Sequence, residues 1–585
     1  MAKVIQTDVL VVGGGLAGFR AAMRARDLVD RVTLVDKANV ARGGGTVFCH
    51  IMTAPTPAGA HDDWLREIVE HTEYLSNQEW AEAVLEEQGD RVRDLERWGF
   101  QFERDENGDF ILMPPRGANK ARAIYYEGRK FAQRMRDVLL ASRINLIERV
   151  MIIDLLTSDG QHPSGGNVIG AIGLHTRTAE PLVIEAGAVV VTNGLIAGKL
   201  KEMDNLTGDG QAMAYRAGAE LSGMEFTHHF NFALWKRGTD AKNPLKYLWS
   251  GAQLQNHGAW IVNAAGERIM ERYAPHLMER RSGFGLISQA IANECLEGKG
   301  PVYFSMRHFP KEEVERLRKV IPQTMAALDD AGIDISKDPI EVIPAMIHWG
   351  GGRGGVKIGF GGETSLKGLF AAGMAAQTRA SVEPMASLSQ AFCNVFGYRA
   401  GENAAKYAAG RGEVTPKQEQ VEELLKRILS PLGRRDGLTP DDVFLAANRM
   451  IIPFKYSILK SEARMVEVLK ELERIEREEL PGVRAEHPHE LIKANEARNY
   501  LLMCRLSYTS ALERKETRLC HYREEYPFRD DVNWLKWITV RREGEDIKLG
   551  FEPIPIESYK IRPPTLTKVP AAVQFSSDCL KEVGL

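Results

Sequence analysis

Residues Thr7 to Asp36 read TDVLVVGGGLAGFRAAMRARDLVDRVTLVD. Thr7 to Val12 is a short, β-branched apolar run, the pattern of a parallel strand buried on both faces. Gly13, Gly15 and Gly18 follow at G-x-G-x-x-G spacing, and a helical pattern runs through Ala17, Ala21, Ala22 and Ala25. Arg31 to Val35 predicts a second strand, which Asp36 ends. Gly13 permits the tight turn, Gly15 lets the backbone approach a pyrophosphate, and Gly18 lets the helix lie close to the sheet. Leu16 and Ala17 open that helix, whose free N–H groups and dipole favour phosphate by about 0.3–1 kcal/mol per interaction. Asp36 stands where a carboxylate accepts hydrogen bonds from a ribose. Strand, glycines, helix and acid together predict a dinucleotide-binding βαβ unit at the start of an α/β fold.

Working outward, Asn39 to Val47 (NVARGGGTV) forms a second glycine-rich loop directly after the acid. A fold for nicotinamide alone needs no such loop there. The whole chain has 585 residues, too many for one core, so several domains are expected. A formal charge of −3 gives no electrostatic case for nucleic acid or an anionic membrane. No apolar run approaches the roughly 20 residues that span a bilayer. The N-terminus lacks the pattern of a secretion signal, so a cytoplasmic chain is expected. Cys49, Cys295, Cys393, Cys504, Cys520 and Cys579 are scattered without a C-x-x-C. That spacing fits neither a zinc site nor an iron–sulfur cluster, so no metal ligands are assigned.

Three later segments carry a resemblance. They are Thr207-Gly208-Asp209-Gly210 with its continuation to Phe226, Lys367 to Gly373 (KGLFAAG) with a helix through Phe396 to Gly401, and Arg514 to Lys536. In this order they resemble the succinate dehydrogenase/fumarate reductase flavoprotein superfamily across nearly the whole chain. Glu148 to Leu156, Met224 to Trp235 and Lys515 to Arg518 look most like the alpha subunit of adenylylsulfate reductase. The resemblance implies FAD as cofactor, in a two-dinucleotide-binding-type FAD domain with an inserted α+β capping domain and a C-terminal helical bundle. It also implies a small ferredoxin-like iron–sulfur partner, hence a hetero-oligomer. The cofactor residues expected on these grounds are Gly13, Gly15, Leu16, Ala17, Gly18, Asp36, Lys37, Gly43, Gly44, Gly45, Thr46, Val150, Asn193, Gly194, Asp209, Gly373, Met374, Leu388 and Ser389. The N-terminal end of the helix from about Leu388 to Ala400 would face the isoalloxazine and stabilise its anionic reduced form.

The sequence also departs from its relatives. Some attach FAD to a histidine before the threonine of the early loop; Gly45 occupies that place, so FAD is expected to be noncovalent. Many have an acid after the KGLFAAG strand, where this chain has Met374. Fumarate reductases use an arginine as proton donor in a helix after an E-R-Y-x-P segment, here Glu271 to Pro275; counted along the helix, that place falls on Gln289. Glutamine carries no proton at pH 7, and losing a general acid costs about 10²–10⁴-fold in rate. Val382 to Leu388 lacks the His-Lys-Phe-Ser-Ser-Gly-Ser-like segment of adenylylsulfate reductases, which points to a different substrate.

Five residues are catalytic candidates. His348 opens HWGGGRGGV, resembling a segment whose histidine holds a substrate carboxylate, and Arg353 in that loop offers paired N–H donors to an anion. His228 and His229 sit where alternation on a strand would aim one inward. Arg379 lies near where relatives place a flavin-side arginine.

The expected division is an FAD-binding domain over 1–230 and 351–412, a capping domain over 231–350, a helical domain over 413–515 and a C-terminal segment over 516–585. Residues 54–140 read as helical, Thr415-Pro416-Lys417-Gln418 as a helix start, and the tail after Pro564 as extended and weakly structured. Three functions stay open: an oxidoreductase trading electrons with an iron–sulfur partner, a self-contained oxidase or dehydrogenase resembling aspartate oxidase, and a flavin-binding subunit without its own substrate.

Overall fold

Val9, Leu10 and Val11 are fully buried and Val12 nearly so, which seals the first strand on both faces. The computed structural model describes residues 2–197, 205–226, 232–234, 249–250, 252–344, 348–349, 354–376, 385–412 and 415–575. Strand β1 (Lys3–Val12) turns through the glycines into helix α1 (Leu16–Arg26) and on to β2 (Val32–Asp36). β3 (Asn145–Glu148) pairs parallel to β2, with Asp36 opposite Glu148. β4 (Val150–Thr157), β5 (Val168–His175) and β6 (Pro181–Val191) form an antiparallel meander. β6 ends parallel to β1, with Val191 opposite Val12.

Residues 54–140 are not helical throughout. Helices span His61–His71, Gln78–Arg97 and Gly128–Ala141, but a three-stranded antiparallel sheet of Ile51–Thr53, Ala123–Tyr125 and Leu112–Met113 interrupts them. Buried Ala123, Ile124 and Tyr125 form a run too short for a helix, and pairing satisfies their backbone.

Helix α2 (Asp209–Ala217) opens after Gly208, whose φ of 74° suits glycine. A second antiparallel sheet follows, ordered Trp249–Ser250, Phe232–Leu234, Ile340–Pro344, Val302–Ser305 and Trp260–Val262. With α3 (Phe284–Leu296) it encloses its own core, including Ile261, Ile287, Ile291, Phe304 and Val342. The chain then returns to the first sheet: β7 (Leu369–Ala371) lies parallel to β6, Leu369 opposite Val189. This completes seven strands in the order β3-β2-β1-β6-β5-β4, with β7 also beside β6.

Helix α4 (Leu388–Ala409) continues past Gly401 and packs along α1. Gly397 and Gly401 meet α1 backbone to backbone: a Cβ on Gly401 would sit 2.2 Å from the Ala21 carbonyl oxygen. The C-terminal helices Gln418–Leu429, Pro440–Ile451 and Glu462–Arg474 pack with α5 (Pro488–Glu513). The first of them starts at Gln418, not Thr415. Gln420 exchanges hydrogen bonds with the Thr157 backbone and hydroxyl, and the Lys417 amine bonds the Asp159 carbonyl, so contacts to the end of β4 set the start.

Beyond α5, Arg514, Glu225, Glu516, Arg518 and Asp531 form a chain of fully buried ion pairs. The tail is extended but docked: Lys568–Pro570 pairs with Phe528–Asp530, and Val573 is buried in the capping core. Among the described residues, no helix is long and apolar enough to cross a membrane.

Gly401→Leu is expected to push α4 off α1. Overpacking typically costs about 1–3 kcal/mol, so thermal unfolding should fall by several degrees, while Gly412→Leu, at an open position, should leave it unchanged.

Candidate functional site

The C-terminal ends of β1, β2 and β6 open on a cleft walled by the glycine-rich turn, Asp36, Asn193 and Asp209. Its glycines divide into two kinds. Gly13 (φ 109°) and Gly18 are locked by packing: their Cβ atoms would lie 2.6 Å from Asn193 Cα and 1.8 Å from the Gly13 carbonyl oxygen. Gly44 and Gly45 front open space, with nothing within 4 Å of a built Cβ. At Gly15 such an atom would meet only the Thr46 hydroxyl, 3.5 Å away. The loop is tight where the chain must turn and open where a pyrophosphate would lie.

Gly15 caps α1 without any side-chain bond, and Leu16 N–H donates to Thr46 Oγ1 at 3.1 Å. Asp36 Oδ2 accepts from Gly14 N–H at 2.7 Å and Oδ1 from Ala38 N–H at 2.8 Å. Both carboxylate oxygens are thus fixed, each with a lone pair left for a ribose hydroxyl.

Lys37 and Asp209 both line the cleft, but their charged ends meet each other. The ammonium bonds Asp209 Oδ2 at 2.8 Å, Glu496 Oε1 at 2.7 Å and Thr207 Oγ1 at 3.2 Å. Burial pulls the Lys37 pKa down, yet Asp209 and Glu496 outweigh it and raise the value. Asp209 Oδ1 also accepts from Thr207 Oγ1 and Asn499 Nδ2. Glu496 and Asn499, three apart on α5, were not anticipated. Their signal was two polar residues within the buried face of a long helix.

Around the cleft, Asn193 Oδ1, Gln211 Oε1 and Gln390 Oε1 are buried acceptors with no hydrogen-bond partner among the described residues. Asn193 and Gln390 line the cleft, and Gln211 Nε2 bonds the carbonyl of Gly194, which lines it too. Buried polar groups are nearly always satisfied, so this row fits a ligand rich in hydroxyl and N–H donors, as FAD is. Cys393 lines the same end, and Cys49 Sγ accepts from Gln390 Nε2 at 3.1 Å. Burial pushes both thiols up to about 12, so they are neutral.

The lining includes Gly13, Gly15, Leu16, Ala17, Asp36, Lys37, Gly43, Gly44, Gly45, Thr46, Val150, Asn193, Gly194, Asp209 and Met374. Gly18, Gly373, Leu388 and Ser389 are not among the wall residues: Gly18 packs on the strand turn, a Cβ on Gly373 would strike Ala17, and the other two begin α4. The His348 backbone pairs with Ala197, just beyond the cleft-lining Gly194. His228, His229, Arg353 and Arg379 lie outside the described residues. Gln289 donates to the Leu519 carbonyl at 3.1 Å, tying α3 to the C-terminal segment.

A βαβ pyrophosphate cradle, an anchored acid, and a chain that leaves and rejoins the same sheet define a flavoprotein of the two-dinucleotide-binding type. Residues 8–392 match the family described as FAD binding domain, and residues 450–567 match Fumarate reductase flavoprotein C-term. The chain belongs to this fumarate reductase/succinate dehydrogenase flavoprotein family and is an FAD-dependent oxidoreductase. It is 28% identical over 571 residues to one of the subunits of the fumarate reductase (CoM/CoB) of Methanothermobacter marburgensis, covering 94% of this chain and 99% of that one. A quinol-fumarate reductase structure shares the fold with a TM-score of 0.83 at 23% identity, covering 96% of this chain and 100% of that one. Adenylylsulfate reductase from Archaeoglobus fulgidus does so at 0.77 and 20%, covering 94% and 96%.

Asp36→Ala should weaken FAD retention at least about 10-fold, because it frees two backbone N–H groups and removes the ribose acceptor; flavin content after dialysis checks this. A pH effect is also expected. Burial lowers His50 and His162 to about 4, from an ordinary 6.5. Between these values the unfolded chain binds a proton at each site and the folded chain does not. The stabilisation is therefore complete above pH 6.5 and is lost as pH falls toward 4, at up to about 1.4 kcal/mol per pH unit per imidazole. Urea midpoints measured across this window read it.

Proposed function

We propose that the chain is a cytoplasmic flavoprotein subunit that performs two-electron redox chemistry on a small carboxylate-bearing substrate and exchanges electrons with a small ferredoxin-like iron–sulfur subunit. The observation that carries this reading is the end-to-end match to a fumarate reductase subunit, with the cleft's open glycines and anchored Asp36 beneath it. The scattered cysteines fit no cluster motif, which supports a second polypeptide for one-electron traffic. In this reading 1–230 and 351–412 form the FAD-binding domain, 231–350 the capping domain, 413–515 the helical domain and 516–585 the C-terminal segment.

Bound FAD supplies the two-electron chemistry at its ring system. The chain's own residues do the rest. Gly15, Gly44 and Gly45 admit the pyrophosphate, Asp36 holds the ribose, and Asn193 and Gln390 accept from donors farther along. The N-terminal turn of α4, whose Gln390 and Cys393 line the cleft, would place a positive dipole end near bound FAD and favour negative charge there. A capping fold over bound FAD would exclude water and strengthen the electrostatic contacts beneath it. His348, Arg353, His228, His229 and Arg379 are proposed to contact the anionic substrate. Gly45 offers no side chain to which FAD could be joined, so FAD would be held noncovalently.

Purification of the chain from its native host should bring down an iron–sulfur protein, and acid precipitation should release all flavin into the supernatant. Flavin left in the pellet would refute noncovalent binding. Rapid peroxide formation by the isolated chain, without such a partner, would identify a self-contained oxidase instead.

A further inference from the structure

The first turn of α1 opens on the cofactor cleft; its last turn opens on a second cavity, walled by Arg24, Arg91, Asp94, Arg97, Trp98 and Tyr398. Three helices meet there. Arg20 and Arg24 lie one turn apart on α1, Arg91, Asp94 and Arg97 lie on successive turns of the helix Gln78–Arg97, and Tyr398 comes from α4. Guanidiniums crowd around Tyr398: those of Arg91, Arg24 and Arg20 lie 3.9, 4.8 and 5.4 Å from its ring centre. Arg20 also lies 5.0 Å from the ring centre of Trp98. The aromatic faces offset part of this charge. Like charges this close still repel unless acids or a ligand neutralise them.

The acids do not suffice. Asp94 serves three cations: Oδ2 accepts from Arg20 Nη2 at 2.8 Å and faces Arg91 Nε at 3.2 Å, and Oδ1 accepts from Arg97 Nη1 at 3.1 Å. Glu402, 3.3 Å from Arg24 Nη2, is shared with Lys406 at 2.7 Å. Asp27 stands 3.5 Å from Arg24 Nη1 and is largely exposed. Arg20, Arg24, Arg91, Arg97 and Lys406 thus face only Asp27, Asp94 and Glu402. Two helix C-termini add roughly half a negative charge each, but Arg134 Nε already donates to the Trp98 carbonyl at one of them. The wall stays cationic. Donors are left over as well. Nε and Nη1 of Arg20 and Nε of Arg24 are buried with no hydrogen-bond partner among the described residues, and Arg20 is 1% exposed. Burial pulls the Arg20 guanidinium down to about 10 even with Asp94 beside it, so it keeps its charge at neutral pH. Buried N–H groups are nearly always satisfied. Spare donors in a cationic wall call for an acceptor-rich anion, and the planar forks of arginine match phosphate oxygens in pairs.

We propose that this cavity is a phosphate-binding site separate from the cofactor cleft, in which Arg24, Arg91 and Arg97 hold the oxyanion and buried Arg20 reinforces their charge from behind. The ligand is free phosphate, or the phosphoryl end of a mononucleotide with its base against the Trp98 ring. An anion held there ties α1 to α4 at the end remote from the cleft, and these are the two helices that frame the cofactor. Phosphate and FAD should therefore strengthen each other's binding, as linkage requires. The site stands independently of the redox reading above.

The test titrates inorganic phosphate and AMP, separately, into the FAD-loaded full chain in chloride buffer, followed by calorimetry with sodium chloride of matched ionic strength as control. Arg24→Gln and Arg91→Gln should each weaken phosphate binding at least about 10-fold, as expected for losing charge-assisted hydrogen bonds. Arg91→Lys should recover part of the loss, and Arg97→Gln, at a side chain that is 72% exposed, should lose less. A second readout separates this role from a structural one. Without phosphate, removing one crowded cation should leave the thermal midpoint unchanged or raise it, whereas a lowered midpoint with unchanged phosphate affinity would mark the arginines as structural and overturn the site. AMP binding at least about 10-fold tighter than phosphate, with tryptophan quenching that Trp98→Phe abolishes, would identify a nucleotide as the source; equal affinities would identify free phosphate. FAD should dialyse away more slowly in phosphate than in chloride, and an equal rate would overturn the coupling. If Arg24→Gln or Arg91→Gln does not fold, Arg91→Lys and Arg97→Gln decide. No heat beyond the chloride control from either ligand, or unchanged affinity in the folded variants, would overturn the site.

Discussion

The structure depends on how closely helix α1 approaches its neighbours. On one side Gly18 sits against the carbonyl of Gly13, and on the other Gly397 and Gly401 let α4 touch α1 backbone to backbone. That double contact places the N-terminus of α1 over the end of β1, where its N–H groups open on the cleft. It also directs α4, which begins at the far end of the same cleft and runs back along α1. Both helices that serve the cofactor are therefore positioned by one stripe of missing side chains. A methyl group at any of these positions would collide with main-chain atoms that have nowhere to go.

Charge then fastens the outer parts to this centre. Lys37 leaves the end of β2 and is held by Asp209 at the start of α2 and by Glu496 on α5. A buried ammonium with two carboxylates is stable only if every donor is used, and here all three are. The same logic governs Arg514, Arg518 and their partners, which join the C-terminal segment to Glu225. The helical domain is thus pinned to the cleft by geometry that neither element could satisfy alone.

The seam between the two folds follows a different rule. The imidazoles of His50 and His257 are brought together there with ring nitrogens that have no partner among the described residues, in contrast to the saturated Lys37 network.

Local physics made the cofactor half legible in sequence. The strand of Thr7 to Val12, the glycine spacing and Asp36 act through backbone geometry over some thirty residues, so pattern alone specified the βαβ unit, and the family resemblance added Asn193, Gly194, Asp209 and Met374 to the expected cleft wall. The KGLFAAG strand and the helix after it were readable through the family resemblance. Tertiary structure alone decided the rest. The start of the helix at Gln418 was set by Thr157 and Asp159 rather than by its own capping residues. Glu496 and Asn499 gained meaning only when α5 came to rest against Lys37. The meeting of His50, Tyr125 and His257 depends on two folds closing on each other. Periodicity reports which face of an element is buried, but it carries no information about which distant residue will face it across a seam.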